Sequence, residues 1–73
     1  MKNFTIRAYT KKELALLYFP NSSTPHVAVN HLISWIKRCR PLMQELEESG
    51  YQKMAKYFTS REVRMITSHL GEP

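Results

Sequence analysis

Three helix-starting signals constrain the fold of this chain more than any other feature of its sequence. Thr10 stands three residues before Glu13, and Thr59 stands three residues before Glu62, which is the spacing of a capping box. Thr24-Pro25 supplies a hydroxyl that can cap a helix, followed by proline at the first helical position. Because these signals are spread over only 73 residues, they predict several short helices joined by brief connections.

Apolar periodicity assigns an inward face to each predicted helix. The first helix must end by Phe19, because Pro20 follows it. In the second helix apolar residues recur at the spacing of one helical face, and Trp35 lies at the inward edge of that stripe. The predicted core draws on all the helices and consists of Leu14, Leu17, Val29, Leu32, Ile33, Ile36, Leu46, Val63, Ile66 and Leu70.

Three further segments complete the expected element order. Residues 4–9 alternate apolar and polar side chains, which is typical of a short half-buried strand. Arg40-Pro41 opens a short helix that runs to Ser49, with Gly50 as its left-handed cap. Residues 51–58 interleave aromatic side chains with lysines and have no helical stripe, so we predict an irregular hairpin or strand there.

Charge is distributed unevenly along the sequence. The chain carries 11 Lys and Arg residues against 6 acidic ones, a formal net charge of +5. Glu45, Glu47 and Glu48 fall within the segment from Pro41 to Gly50, which contains no Lys or Arg. A basic body with one acidic patch is typical of proteins that bind phosphates, and a basic surface without a partner is the simpler alternative.

The sequence offers no set of residues that would carry catalysis. It contains no Asp, and Gly50 and Gly71 are its only glycines, so a Gly-rich phosphate loop is excluded. His26 and His31 would lie about 140° apart around a helix, which is a poor arrangement for chelating a metal. We therefore predict that the protein is not an enzyme and has no metal or cofactor.

Length and cysteine content indicate one cytoplasmic domain over residues 1–73. A chain this short cannot bury two separate cores. Cys39 is the only cysteine, so it cannot form an internal disulfide or a cysteine-based zinc site, which is typical of a reducing compartment. No apolar run is long enough for a signal peptide or a membrane span, so we expect no membrane partner.

The predicted architecture is mainly α with a small β component, a winged helix-turn-helix-like domain of three to four helices. In such domains the second helix enters the major groove of DNA, and the wing adds phosphate contacts. Here the helix opened by Thr24 has a polar, basic outer face. We predict double-stranded DNA as the partner, with nucleic-acid-binding residues His26, Asn30, Ser34, Lys37, Arg38, Lys53 and Lys56, the last two on the wing.

Short stretches along nearly the whole chain resemble a known family. Phe4–Tyr9, Tyr18–Pro20, Trp35-Ile36, Phe58-Thr59 and Leu70–Pro73 are similar to the bacterial family called domain of unknown function 4248. The family is uncharacterised, so this resemblance implies no particular activity.

A weaker resemblance is to winged helices of the MerR and excisionase type. Thr10–Ala15 and Phe58–Val63 are similar to the openings of two helices in those proteins, whereas the acidic segment Pro41–Gly50 replaces their tight link into the wing. This resemblance implies an accessory regulator of transcription or recombination.

A second class of function stays open at this point. A protein-protein interaction adaptor or a small homodimer, without nucleic-acid binding, would use an apolar patch of Trp35, Tyr51, Met54 and Tyr57. The position of the acidic helix discriminates between the two classes. If it packed across the outer face of the helix opened by Thr24, DNA could not approach that face.

Overall fold

The computed structural model describes residues 4–52 and 55–73, which form a mainly helical domain with a small antiparallel sheet. The elements follow one another with short connections, and both strands are only two residues long. In chain order they are β1 (Tyr9–Thr10), α1 (Lys11–Tyr18), α2 (Pro25–Arg38), α3 (Arg40–Glu48), β2 (Tyr57–Phe58) and α4 (Ser60–Leu70). The prediction of a mainly α fold with a small β component is confirmed.

All three helix-starting signals cap a helix as predicted. The Thr10 hydroxyl accepts the Glu13 N–H at 3.0 Å, and the Glu13 carboxylate accepts the Thr10 N–H at 3.0 Å. Thr59 and Glu62 form the same reciprocal pair at 3.2 and 2.9 Å. The Thr24 hydroxyl accepts a backbone N–H from the first turn of α2 at 3.1 Å. These bonds satisfy amides that the helices cannot pair internally.

The strands join the start of α1 to the start of α4. Tyr9 pairs with Phe58 and Thr10 with Tyr57 in an antiparallel register. Just beyond them the Lys11 N–H donates to the Lys56 carbonyl at 2.9 Å. The sheet therefore brings the segment that precedes β2 against the first turn of α1.

The predicted strand over residues 4–9 is wrong in extent. Only Tyr9 and Thr10 are in a strand, because β2 offers only two pairing residues. The preceding segment folds back instead, since the Tyr9 hydroxyl donates to the Thr5 carbonyl at 2.7 Å and the Phe4 and Tyr9 rings stack at 5.5 Å. Tyr9 is buried and Ala8 is exposed, the reverse of the predicted alternation.

The core lies where the four helices and the sheet meet. The buried apolar residues of the described chain are Tyr9, Leu14, Ala15, Ala28, Leu32, Ile36, Leu42, Leu46, Phe58, Val63 and Ile66. Of the predicted core, Val29, Ile33 and Leu70 are only half-buried.

Two residues predicted to face inward lie at the surface. Leu17 is 40% exposed, because the buried side of α1 is centred on Leu14 and Ala15 and Leu17 falls beside it. Trp35 is 43% exposed, because the buried row of α2 contains Leu32 and Ile36 and Trp35 lies about one quarter turn away. The predicted faces of both helices were therefore too wide.

Candidate nucleic-acid interface

The side of α2 that faces away from the core is open to solvent. The helix packs against α1 and α3 through the buried row formed by Ala28, Leu32 and Ile36. The five predicted site residues on α2 are all exposed: His26, Asn30, Ser34, Lys37 and Arg38. The sequence pattern thus placed these side chains correctly at the surface.

Two adjoining depressions run along this side of α2. The first, called here the α2 groove, has a volume of about 650 Å³ and includes His26, Lys37 and Lys56 in its lining. The second, called here the polar depression, has a volume of about 390 Å³. It is lined by Asn30, Ile33, Ser34, Lys37 and Arg38. Because Ile33 and Lys37 border both, the structure brings six of the seven predicted site residues onto one continuous surface.

The α2 groove combines an apolar floor with a basic rim. The half-buried or buried apolar residues of its lining are Val29, Ile33, Ile36, Met43, Tyr51 and Ala55. Its polar residues are Thr10, Lys11, Lys12, His26, Lys37 and Lys56, and all of these except Lys11 are exposed. No acidic residue is among the described residues that line it.

Lys56 reaches this surface by a route that differs from the predicted wing. Residues 55–58 do not form a hairpin of their own, since β2 pairs with β1 at the other end of the chain. The backbone hydrogen bond from Lys11 to Lys56 sets the Lys56 side chain beside the start of α1. Lys53, the other predicted wing residue, lies outside the described residues.

Aromatic rings engage the Lys11 side chain at one end of the α2 groove. Its Nζ lies 5.2 Å from the centre of the Tyr51 ring and 5.5 Å from that of Phe58, within reach of cation-π attraction. Burial lowers the pKa of Lys11, and the nearby Glu62 carboxylate opposes that change. Burial raises the pKa of Tyr51, and here the Glu62 carboxylate adds to the shift. This end of the groove is therefore organised by contacts within the protein.

The acidic helix α3 leaves the outer face of α2 uncovered. Leu42 and Leu46 turn the apolar side of α3 into the core, where it packs against α2 and α4. Glu45 points toward α4, since one carboxylate oxygen lies 3.3 Å from Nε2 of His69. Because the polar side chains on the outer face of α2 remain exposed, the arrangement that would exclude DNA is not found in the described part of the chain.

The opposite flank of α2 is occupied by aromatic packing. The Phe19 ring meets His31 edge-on at 5.3 Å and Trp35 edge-on at 4.9 Å between ring centres. His31 is therefore part of an aromatic cluster, which was not anticipated.

The apolar patch considered for a protein partner is not a single surface. Trp35 and the groove residue Ile33 are two positions apart, which sets them about 200° apart around α2. Trp35 therefore lies on the Phe19 side of the helix, whereas Tyr51 lines the α2 groove on the other side. Tyr57 is 57% exposed, and Met54 lies outside the described residues.

Sequence reasoning missed the apolar floor of the α2 groove and the lysines of α1 beside it. Val29 and Ile33 were assigned to the core. On a helical projection, however, they adjoin His26 and Lys37, which indicates that apolar and basic side chains lie next to each other on this side of α2. Lys12 and Met43 reach the groove through tertiary packing, for which the sequence contains no local signal.

Other kinds of site have little support in the described residues. Within residues 4–52 and 55–73 no group of three His, Cys, Asp or Glu side chains could hold a metal ion. Cys39 is half-buried between α2 and α3 and has a free thiol. None of the helices described is both long enough and apolar enough to cross a membrane.

The fold and this surface define a class of protein: a small, mainly helical domain whose second helix exposes a basic face beside a groove. Residues 5–73 match the family model described as Domain of unknown function (DUF4248), and the chain belongs to that family. Neither a search of curated proteins nor a search of solved structures gave a match. The weaker resemblance to MerR and excisionase domains is not confirmed by these comparisons.

Proposed function

We propose that this domain is a cytoplasmic binding module that docks on double-stranded DNA through the outer face of α2, and that it is not an enzyme. The observation that carries the proposal is the polar depression. There Asn30, Ser34, Lys37 and Arg38 share one exposed surface on a single helix. Side chains of this kind on one helical face are suited to contact base edges and phosphates in the major groove.

The arrangement of α1 and α2 supports a winged helix-turn-helix interpretation. α1 ends at Tyr18, a short turn follows, and α2 begins at Pro25 and packs closely on α1. In helix-turn-helix proteins the first helix crosses the DNA backbone while the second lies in the major groove. α2 then has the role of the recognition helix.

Each residue of the interface has a distinct role in this proposal. The Asn30 amide offers one acceptor and one donor, which complement the N6–H donor and the N7 acceptor of adenine. It therefore contributes discrimination between sequences. Lys37 and Arg38 bind phosphates and supply affinity that depends on salt. His26 and Lys56 line the adjoining α2 groove and so extend the same surface. Lys53 belongs to the same segment as Lys56 and is included on the sequence pattern alone.

A titration of labelled duplex DNA, followed by fluorescence anisotropy at two salt concentrations, tests this proposal. Lys37→Ala, Arg38→Ala and Lys56→Ala should weaken binding to every duplex and flatten the salt dependence by about 0.9 units of slope per lost phosphate contact. Asn30→Ala should mainly reduce the preference between sequences, by about 1–3 kcal/mol at the base pair concerned.

The matched control uses the basic residues of α4. Arg61 and Arg64 are exposed on a different helix, so replacing either by Ala removes the same charge from the protein but not from the α2 surface. These variants should keep the salt slope of the unmodified protein. The proposal is wrong if duplex DNA does not bind even at low salt, or if the α4 variants lose as much affinity as the α2 variants.

A protein partner or a homodimer is the second candidate, and one observation favours it. Trp35 is 43% exposed next to Phe19, and exposed aromatic residues of this kind often anchor protein interfaces. Sedimentation velocity over a range of protein concentrations tests whether the protein forms a homodimer. A dimer that Trp35→Ala dissociates would support it, and a monomer at all concentrations would remove the homodimer.

A further inference from the structure

The α2 groove has properties that DNA docking on the polar depression does not use. We propose that it binds a small amphipathic anion, a molecule with an elongated apolar body and one acidic group such as a carboxylate. His26, Lys37 and Lys56 belong to both surfaces, whereas Asn30, Ser34 and Arg38 are not part of the groove lining and so distinguish DNA binding from ligand binding.

The apolar body is indicated by the floor of the groove. Val29 and Ile33 on α2, Met43 on α3 and the Tyr51 ring are only half-buried and share one concavity. An apolar ligand that covered them would remove apolar surface from water on both sides. Met43 adds a flexible side chain that adapts to the shape of a ligand. The volume of about 650 Å³ lies within the range of small-molecule sites.

The elongated shape follows from the path of the groove along α2. His26 and Lys37 both line it, and they are eleven positions apart on the helix, a rise of about 16 Å. A chain-like molecule can therefore contact the floor over several turns of the helix. A compact one would cover only part of it.

The acidic group is indicated by the charges of the rim. Lys12, Lys37 and Lys56 are exposed there, and no acidic residue is among the described lining residues. Lysine stems lie along apolar surface while their ammonium groups reach outward, which suits a ligand that enters tail first and keeps its acid at the rim. Lys11 already contacts the Tyr51 and Phe58 rings, so the proposal does not require it. A cationic ligand of the same shape would be repelled.

Isothermal titration calorimetry of the full chain with dodecanoate, below its micelle concentration, tests the proposal. We expect one binding site. Octanoate has four fewer methylene groups and should bind at least about tenfold more weakly, since each buried methylene contributes up to about a fourfold change. Dodecanol should bind more weakly than dodecanoate, and dodecyltrimethylammonium should not bind at the same concentrations.

Charge reversal locates the site. The double variant Lys12→Glu, Lys37→Glu should bind dodecanoate at least about fivefold more weakly, because two attractive charges become repulsive. The control, Arg61→Glu with Arg64→Glu on α4, makes the same change in net charge and should retain the affinity. All four positions are exposed, so both double variants should keep their circular dichroism spectra. As a second approach, Ala55→Trp should fill the groove and block binding.

Several outcomes would overturn the site. Equal affinity for dodecanoate and dodecyltrimethylammonium would show association driven by the apolar chain alone. Equal losses in the groove double variant and the α4 double variant would show a response to net charge only, and no binding of dodecanoate would remove the site altogether. DNA binding would survive any of these results, because two of its test positions, Asn30 and Arg38, do not line the groove.

Discussion

The two flanks of α2 are packed differently. On one flank Phe19 packs edge-on against His31 and Trp35. On the other flank Val29 and Ile33 line the α2 groove of about 650 Å³. The first flank is closed by an aromatic ring, whereas the second offers an apolar surface bordered by lysines.

The difference comes from where the neighbouring residues lie in the sequence. Phe19 caps the C-terminus of α1, where its N–H donates to the Ala15 carbonyl at 2.8 Å. Because only a short turn separates Phe19 from α2, the Phe19 ring packs directly on α2. The groove is lined by Met43 on α3 and by Tyr51 and Ala55 in the segment between α3 and β2, so its shape depends on how these later parts of the chain pack on α2. The first flank is covered by a residue close to α2 in the sequence, and the second is shaped by residues that follow α2 in the chain. We infer that the first flank serves stability and the second serves binding.

The largest effect is expected where both flanks depend on the same residue. Leu32 is fully buried in the row of α2 that separates them. Leu32→Ala should destabilise the protein by about 2–5 kcal/mol, because it removes buried methyl groups and leaves a cavity in a small core. Chemical denaturation measures the change. The exposed Ser34→Ala is the control and should stay within about 0.5 kcal/mol of the unmodified protein. A loss below about 1 kcal/mol for Leu32→Ala would contradict the assigned core.

Removing the ring that closes the first flank should have the next largest effect. Phe19→Ala loses two edge-on ring contacts, each of which contributes about 0.5–1.5 kcal/mol, so the expected loss is about 1–3 kcal/mol. A double-mutant cycle with Trp35→Ala should give a coupling free energy of about 0.5–1.5 kcal/mol. Additive losses would mean that Phe19 and Trp35 do not stabilise each other, and the distinction between the flanks would fail.

The same small deletion at two degrees of burial on α2 sharpens the comparison. Ile36 is buried and Ile33 is half-buried at the groove, so both can be shortened to Val on one helix. Ile36→Val should cost about 0.5–1.5 kcal/mol, and Ile33→Val should cost less than half as much, because its side chain already borders solvent. Thermal or chemical denaturation of both variants provides the measurement. Equal losses would indicate that the groove floor is packed as tightly as the core.

Most of the fold could be predicted because its signals are local. The capping boxes at Thr10 and Thr59 and the Thr24-Pro25 pair set the helix starts, and these depend only on neighbours along the chain. Strand length was overestimated because it depends on the partner, and β2 lies almost fifty residues away from β1. The exposure of Leu17 and Trp35 also depends on how wide a face neighbouring helices cover, which periodicity alone does not determine.

The candidate site was predictable in its residues and not in its shape. Exposure of Asn30, Ser34, Lys37 and Arg38 follows from the helical period once the core side of α2 is known. The α2 groove requires Met43 on the next helix and Lys56 from the segment beyond α3 to approach α2. Nothing in the sequence near α2 indicates that approach.

The smallest expected effect concerns the bond that ties the end of α1, next to the Phe19 flank, to the end of α4. The Tyr18 hydroxyl donates to the Gly71 carbonyl, and the Tyr18 and Phe19 rings lie 6.4 Å apart. Because this hydrogen bond is exposed, Tyr18→Phe should cost only about 0.5 kcal/mol at neutral pH. Chemical denaturation measures that loss. Phe19→Ala, with its larger expected effect, provides the internal reference.

The pH dependence of stability gives the Tyr18 contact a signature of its own. Burial, with the nearby Glu72 carboxylate, raises the pKa of Tyr18 from 10.0 to about 12. Below pH 10 the side chain is neutral in both the folded and the unfolded chain, so its contribution to stability is intact. Between pH 10 and 12 the unfolded chain loses this proton first, and stability should fall across that window. Tyr18→Phe should make the fall shallower without abolishing it, because the pKa of Tyr51 is also raised. If unfolding free energies of Tyr18→Phe and the unmodified protein declined in parallel above pH 10, the Tyr18 hydroxyl could not be held at Gly71 in solution.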